Sequence, residues 1–168
     1  MGRGGRNELP PVPSEPKVFR GANKVTLDAK GRLAMPARYR ERIVERSDGR
    51  LVITVDRADR CLLIYPLPEW EEIERKLMRL PTLHASARRL QRLMVGHATD
   101  LELDSHGRVL VPPKLREYAG LERQAMLIGQ GGRFELWDEN HWNERREAWL
   151  SVDETAEELP AELESLSL

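Results

Sequence analysis

Leu27-Asp28-Ala29-Lys30-Gly31-Arg32-Leu33-Ala34-Met35-Pro36-Ala37-Arg38-Tyr39-Arg40 decides how this chain folds, because the pattern is written twice. Without a gap, the same pattern returns as Leu103-Asp104-Ser105-His106-Gly107-Arg108-Val109-Leu110-Val111-Pro112-Pro113-Lys114-Leu115-Arg116. Leu, Asp, Gly, Arg, Pro and Arg recur at matched places, and Lys114 keeps the charge of Arg38. Further on, Leu62-Leu63-Ile64-Tyr65 corresponds to Phe134-Glu135-Leu136-Trp137, and Trp70 falls on Trp142. Self-similarity of this kind is the mark of a duplicated structural unit. The first unit is read over residues 18–81 and the second over 96–150, with 82–95 connecting them. A unit of about 60 residues buries too little surface to be stable alone, so the two are expected to share a core, to oligomerise, or both.

Each copy carries the same local signals. Val25 to Leu27, and Thr99 to Leu103, alternate into a turn whose last residue is Gly31 or Gly107. Glycine takes a positive φ at no steric cost, and Asp28 or Asp104 at the first turn position can accept from backbone N–H groups two or three residues on. A strand follows, Arg32 to Met35 or Arg108 to Val111, so that each unit opens with a hairpin-like element. Pro36 and Pro112 then suit the start of a short helix, Ala37 to Ile43 or Pro113 to Tyr118. Two more strands come next: Leu51 to Val55 and Cys61 to Tyr65 in the first copy, Ala125 to Gly129 and Arg133 to Trp137 in the second. Trp70, Ile73, Leu77 and Leu80 form an apolar stripe at helical spacing, thinned to Trp142 and Trp149 in the second copy. The recurrence of Trp70 and Trp142 at one repeat position predicts that both are core residues. The connecting segment has its own stripe, Ala87, Leu90, Leu93 and Met94, after a cap expected at Ser86.

Composition narrows the function classes. No apolar run approaches the ~20 residues of a spanning helix, and no apolar stretch follows the N-terminal Arg3 and Arg6 as in a signal peptide. The single cysteine, Cys61, reads as a buried structural thiol. The net charge is -1, but it is unevenly spread: six of the 28 acidic residues stand from Asp153 onward, with no basic residue among them. The rest holds 27 basic residues against 22 acidic ones, a body compatible with DNA binding or with an ordinary surface. Residues 1–17, rich in Gly and Pro, and the acidic tail 151–168 are expected to be disordered.

The charges with a repeated place are the informative ones. Arg32 and Arg108 each follow a glycine turn and begin a strand, with Lys30 and His106 on the loop beside them, and Arg40 and Arg116 on the short helices. Guanidinium groups bond phosphate or read guanine in the major groove, which a two-stranded β element can enter. A purely structural reading stands beside this: Asp28 pairing with Arg32, and Asp104 with Arg108, only to fix the loop. The two are compatible, since an Asp that orients its Arg sharpens a DNA contact. Arg40 and Arg116 either touch phosphate or are simply solvated.

Nothing in the sequence calls for an enzyme. His84, His97, His106 and His141 are scattered without ligand spacing, so no metal or other cofactor is expected. Gly129-Gln130-Gly131-Gly132 lacks the following Lys and Ser or Thr of a phosphate loop. The alternative from another class is a structural oligomerisation module that uses its basic loops for protein contacts.

The paired Leu-Asp-x-x-Gly-Arg-x-x-x-Pro-x-x-x-Arg runs resemble the doubled signature of the MraZ family of bacterial transcriptional regulators, over about residues 18–150. The resemblance implies a mainly β fold with short packing helices, in which two swapped-hairpin, AbrB-like (SpoVT-type) units make an intrachain pseudo-dimer and close into a β-barrel. It implies a ring-shaped homo-oligomer that binds double-stranded DNA at directly repeated G-rich promoter boxes of the division and cell-wall gene cluster. It further implies repression, a cytoplasmic, nucleoid-associated location, and no membrane or small-molecule partner. On that analogy Arg32 and Arg108 are the main DNA-contacting residues, with Asp28 and Asp104 as their motif partners. Residues 1–16 are an extra arm relative to the family, and the Lys30/His106 difference means the two loops need not contact DNA equally.

Overall fold

In a computed structural model, residues 18–152 and 160–166 are described. The expected disorder of 1–17, and that of 153–159 and 167–168 within the tail 151–168, concerns residues outside the described ones. The first copy supplies β1 (Phe19–Thr26), β2 (Arg32–Ala34), α1 (Ala37–Ser47), β3 (Arg50–Val55), β4 (Leu62–Pro66) and α2 (Leu67–Met78). The connecting helix is α3 (Ala85–Met94). The second copy supplies β5 (Thr99–Glu102), β6 (Arg108–Leu110), α4 (Pro113–Ala119), β7 (Gln124–Gly131), β8 (Arg133–Asp138) and α5 (Glu139–Leu150), and a single turn, α6 (Ala161–Glu164), lies in the acidic tail.

The copies interleave. Six strands form one sheet in the order β1-β7-β8-β4-β3-β5, and β2 pairs with β6 in a separate two-stranded ladder. Strands of one copy thus lie against strands of the other at β1–β7, β4–β8, β3–β5 and β2–β6, all antiparallel. The hairpin-like element expected at the start of each unit forms only at its tip, where Asp28 N donates to Arg32 O and Asp104 N to Arg108 O, both at 2.9 Å, and Leu27 bridges Leu33; the ladders of β1 and β2 run to β7 and β6.

Among the described residues the expected β-barrel does not form. The larger sheet is open, with β1 and β5 at its two edges, and the β2–β6 ladder stands apart from it, so neither sheet closes. The fold is mixed α/β rather than mainly β, and its helices together hold more residues than its strands. The physical reason lies in the central strands. Leu51, Ile53, Leu62 and Ile64 join one apolar cluster, whereas Val52, Leu63 and Tyr65, alternating with them, join another. A sheet buried on both faces needs cover on both, and helices provide it. On one side lie Tyr39 and Ile43 of α1 and Leu115 and Ala119 of α4, together with Leu33 and Val109 of the small ladder. On the other, Trp70 and Leu77 of α2 pack with Leu90 and Met94 of α3.

The predicted core tryptophans divide. Trp70 and Trp137 are buried, but Trp142 is only half-buried, and no residue of α5 is buried. The difference is the neighbour: α2 is covered by α3, whose Gln91 Nε2 donates to Leu77 O at 2.8 Å, and Met94 O of α3 accepts from Thr54 Oγ1 at 2.6 Å. Trp142 instead packs edge-on against Trp137 and Trp149, at centroid distances of 5.6 and 5.8 Å. Helix α3 starts one residue before Ser86, with His84 as its N-cap and no side-chain cap bond, so the expected Ser86 cap does not form.

Leu33 and Val109 face each other in the small ladder and are both buried, at 0% and 1% exposed. Leu33→Ala is therefore expected to cost about 2–5 kcal/mol, as other buried Leu-to-Ala changes do. Urea unfolding with unchanged slope would measure it, and a loss under about 1 kcal/mol would mean that the ladder is not part of the cooperative core.

Candidate nucleic-acid interface

The repeated turn is built by one carboxylate. Asp28 Oδ1 accepts from the N–H groups of Lys30 and Arg32, both at 2.9 Å, and Gly31 N donates to Asp28 O at 2.9 Å. Gly31 has φ +84°, a value that a residue with a Cβ adopts only under strain. Arg32 then closes the loop, its Nε donating to Asp28 Oδ2 at 2.8 Å. The second copy repeats this arrangement: Asp104 Oδ1 accepts from His106 N and Arg108 N at 2.9 Å, and Oδ2 accepts from Arg108 Nε at 2.9 Å. Each Asp therefore does pair with its Arg. The backbone N–H of the following Arg, more than its charge, holds Asp28 and Asp104 below the usual carboxylate range, and the side-chain bond adds to it.

The small ladder brings the two loops together. Its register sets Arg32 opposite Leu110, Leu33 opposite Val109 and Ala34 opposite Arg108. Because side chains alternate across a strand, Leu33 and Val109 enter the core while Arg32, Ala34, Arg108 and Leu110 share the other face. Arg32 and Arg108 are diagonal neighbours there, with backbones about 7–8 Å apart. Both side chains are about a third exposed, at 30% and 31%. Among the described residues their guanidinium hydrogen bonds are those from Nε, so neither Nη group is engaged. Lys30 and His106 are exposed at the loop tips, and Ser105 Oγ lies 3.3 Å from His106 Nδ1.

Arg40 and Arg116 are not simply solvated. Both are half-buried, and Nε of Arg40 donates to Met35 O at 2.7 Å while Nε of Arg116 donates to Val111 O at 3.1 Å. Three other basic residues near the motif in sequence are engaged away from the ladder. Lys24 pairs with Glu139 at 3.3 Å, Arg38 bonds Asn23 and Tyr39, and Arg42 donates to Val18 O at 3.0 Å.

Two features had no reading in the sequence. Leu110, 52% exposed, stands on the arginine face where the first copy has Ala34, an asymmetry visible only once the register is known. Asp56, Cys61 and Glu135 also converge, with one ligand atom each within 4.8 Å of one another. Their hydrogen bonds account for them: Trp137 Nε1 donates to Glu135 at 3.1 Å, and the Cys61 thiol donates to Asp56 at 3.7 Å. Burial pushes both the Cys61 thiol and the Glu135 carboxyl up, which keeps the thiol protonated as a structural cysteine.

The lowered Asp28 and Asp104 carboxyls make the loops acid-sensitive. A carboxylate whose folded pKa is depressed contributes stability above its unfolded value, near 3.8, and loses it as pH falls through the lower folded value. Asp28→Asn with Asp104→Asn is expected to lower stability at pH 7 and to flatten its fall below about pH 4. Urea midpoints from pH 7 to 2.5 would test this, and parallel curves for the variant and the unsubstituted chain would refute it.

The family described as "MraZ protein, putative antitoxin-like" matches residues 18–93 and 94–159. The protein named Transcriptional regulator MraZ from Halorhodospira halophila is 60% identical over 152 residues, covering 90% of this chain and all of the relative. Proteins of the same name from Thioalkalivibrio sulfidiphilus and Pseudomonas aeruginosa are 58% and 57% identical over 151 residues, again covering 90% of this chain and all of each relative. Among the described residues no helix is long and apolar enough to cross a membrane. With a doubled motif, two matched segments and relatives aligned over their whole length, this chain belongs to the MraZ family of transcriptional regulators.

Proposed function

We propose that this regulator binds double-stranded DNA in a sequence-specific way through the outward face of the β2–β6 ladder. The observation that carries the reading is the pair of arginines, Arg32 and Arg108, held side by side on one two-stranded ribbon by a carboxylate at each Nε. A two-stranded ribbon fits the major groove, and arginine Nη groups bond guanine O6 and N7. Lys30 and His106 at the loop tips lie where backbone phosphates flank the groove, and Asp28 and Asp104 orient the readers. G-rich boxes suit paired arginines. Family resemblance adds that the boxes are direct repeats in the promoter of the division and cell-wall gene cluster. It also adds that the protein works as a nucleoid-associated repressor and that a ring of copies presents many loops to the repeated boxes. Multivalency of that kind raises avidity even where one chain binds weakly. The units carrying the loops are taken as two SpoVT/AbrB-like domains, 18–81 and 96–150, between an N-terminal arm and an acidic tail.

Arg32→Ala with Arg108→Ala is expected to weaken binding to the chain's own upstream DNA by roughly 30-fold or more, since each bidentate arginine–guanine contact is worth about 1–3 kcal/mol. Folding and oligomer size should not change, because neither side chain is in the core. Titration at stated salt, with scrambled DNA as control and sizing by light scattering, tests both points. Full affinity in a correctly assembled variant would overturn the proposal and turn attention to the loops as protein contacts.

A further inference from the structure

Arg40 and Arg116 stand on α1 and α4, but neither serves the turn of its own repeat. Gly107, in the second turn, lies directly under the Arg40 side chain, and Gly31, in the first turn, lies under the Arg116 guanidinium. A Cβ added at either glycine would overlap the arginine from the other repeat. Both glycines are buried, although the turns that hold them are exposed at Asp28 to Lys30 and Asp104 to His106. Each arginine is itself tied to the strand that touches the same turn. Arg40 Nε donates to Met35 O, and Met35 N donates to Gly107 O at 2.9 Å. In mirror image, Arg116 Nε donates to Val111 O, and Val111 N donates to Gly31 O at 3.0 Å.

We propose that Arg40 and Arg116 are positioning residues, each clamping the arginine turn of the opposite repeat, and that they do not serve as phosphate ligands. A flat guanidinium can lie on a glycine where no Cβ intervenes, while its Nε–H fixes the group to the strand end. Lysine has neither the plane nor the Nε–H, so it cannot replace arginine in this role, although it would serve equally well as a point charge for phosphate. Arg32 and Arg108 then project from turns whose backbone is braced on one side by an Asp of the same repeat and on the other by an Arg of its partner repeat. The clamp deepens the DNA-binding reading given above and, for its effect on DNA, rests on it.

Two measurements separate the possibilities. The first uses no DNA. In Arg40→Ala and Arg40→Lys, amide hydrogen exchange at Gly107 and Arg108 should speed up by roughly tenfold, while Gly31 and Arg32 stay unchanged; Arg116→Ala and Arg116→Lys should do the reverse. Exchange that is unaltered at the opposite turn, or altered equally at both, overturns the clamp. The second is an operator titration over a range of salt. A clamp variant should bind more weakly, with the same slope of log affinity against log salt, in both the Ala and Lys forms. A slope reduced by about 0.9 per residue, restored by Lys, would identify a phosphate ligand and overturn the proposal. Should the Ala form not fold, the Lys form, which keeps the charge and an aliphatic stem, carries both readouts. If the unsubstituted chain does not prefer its operator to scrambled DNA, the DNA-binding reading falls and the exchange data still decide the clamp.

Discussion

Everything in this molecule depends on the exchange of backbone hydrogen bonds between its two copies. The β2–β6 ladder has three residue pairs, yet it sets Leu33 and Val109 in the core, turns Arg32 and Arg108 outward, and docks each glycine turn on the strand end of the other copy. The same exchange runs through the larger sheet at β1–β7, β4–β8 and β3–β5. A unit of about 60 residues is short of core; here the apolar residues of both halves, Phe19, Ile53, Leu127 and Phe134 among them, form one cluster. Phe19, Tyr39 and Phe134 meet at its centre with ring centroids 4.2 to 5.7 Å apart, two of them from the first copy and one from the second.

What the sequence disclosed was whatever depends on neighbours along the chain. The duplication, the Asp-capped glycine turns, the helix starts after Pro36 and Pro112 and the paired apolar strands are local patterns, and each corresponds to an element of the structure. What depends on partners far along the chain stayed hidden. The hairpin-like reading holds at the tip, where Asp28 N donates to Arg32 O, but β1 and β2 spend their ladder hydrogen bonds on β7 and β6, which local sequence does not disclose. The barrel, which came from resemblance alone, gave way to an open sheet because strands apolar on both faces need helices on both. Trp142 shares a repeat position with Trp70 but sits on a thinner apolar stripe and, among the described residues, lacks the covering helix that buries Trp70, so one shared position led to different burial.

The same division holds at the interface. The Asp–Arg pairing was legible because four residues separate the partners. That the two arginines are diagonal neighbours, and that Arg40 and Arg116 reach across to the opposite turns, followed from the register and could not be read from spacing. Exposed ion pairs contribute little to stability, so the Asp28–Arg32 and Asp104–Arg108 pairs matter chiefly for direction. An arginine already held at Nε has fewer conformations to lose when its Nη groups meet a ligand, and that lowers the cost of ordering it.

Under the DNA-binding reading proposed above, the imperfect two-fold symmetry of the ladder bears on the form of the target. A reader with exact two-fold symmetry matches a palindrome, because each half presents the same groups to opposite strands. In this chain the symmetric pairs are the two arginines and their carboxylates, but the residues around them differ: Lys30 against His106, and Ala34 against Leu110. Lys30 offers an ammonium on a flexible stem where His106 offers a flat ring, and Leu110 carries a larger apolar side chain than Ala34. One end of the ribbon therefore differs from the other in side-chain chemistry and in shape. A ribbon with such polarity can distinguish the two directions along a duplex, and copies of it arranged head to tail would favour boxes repeated in one direction over inverted ones.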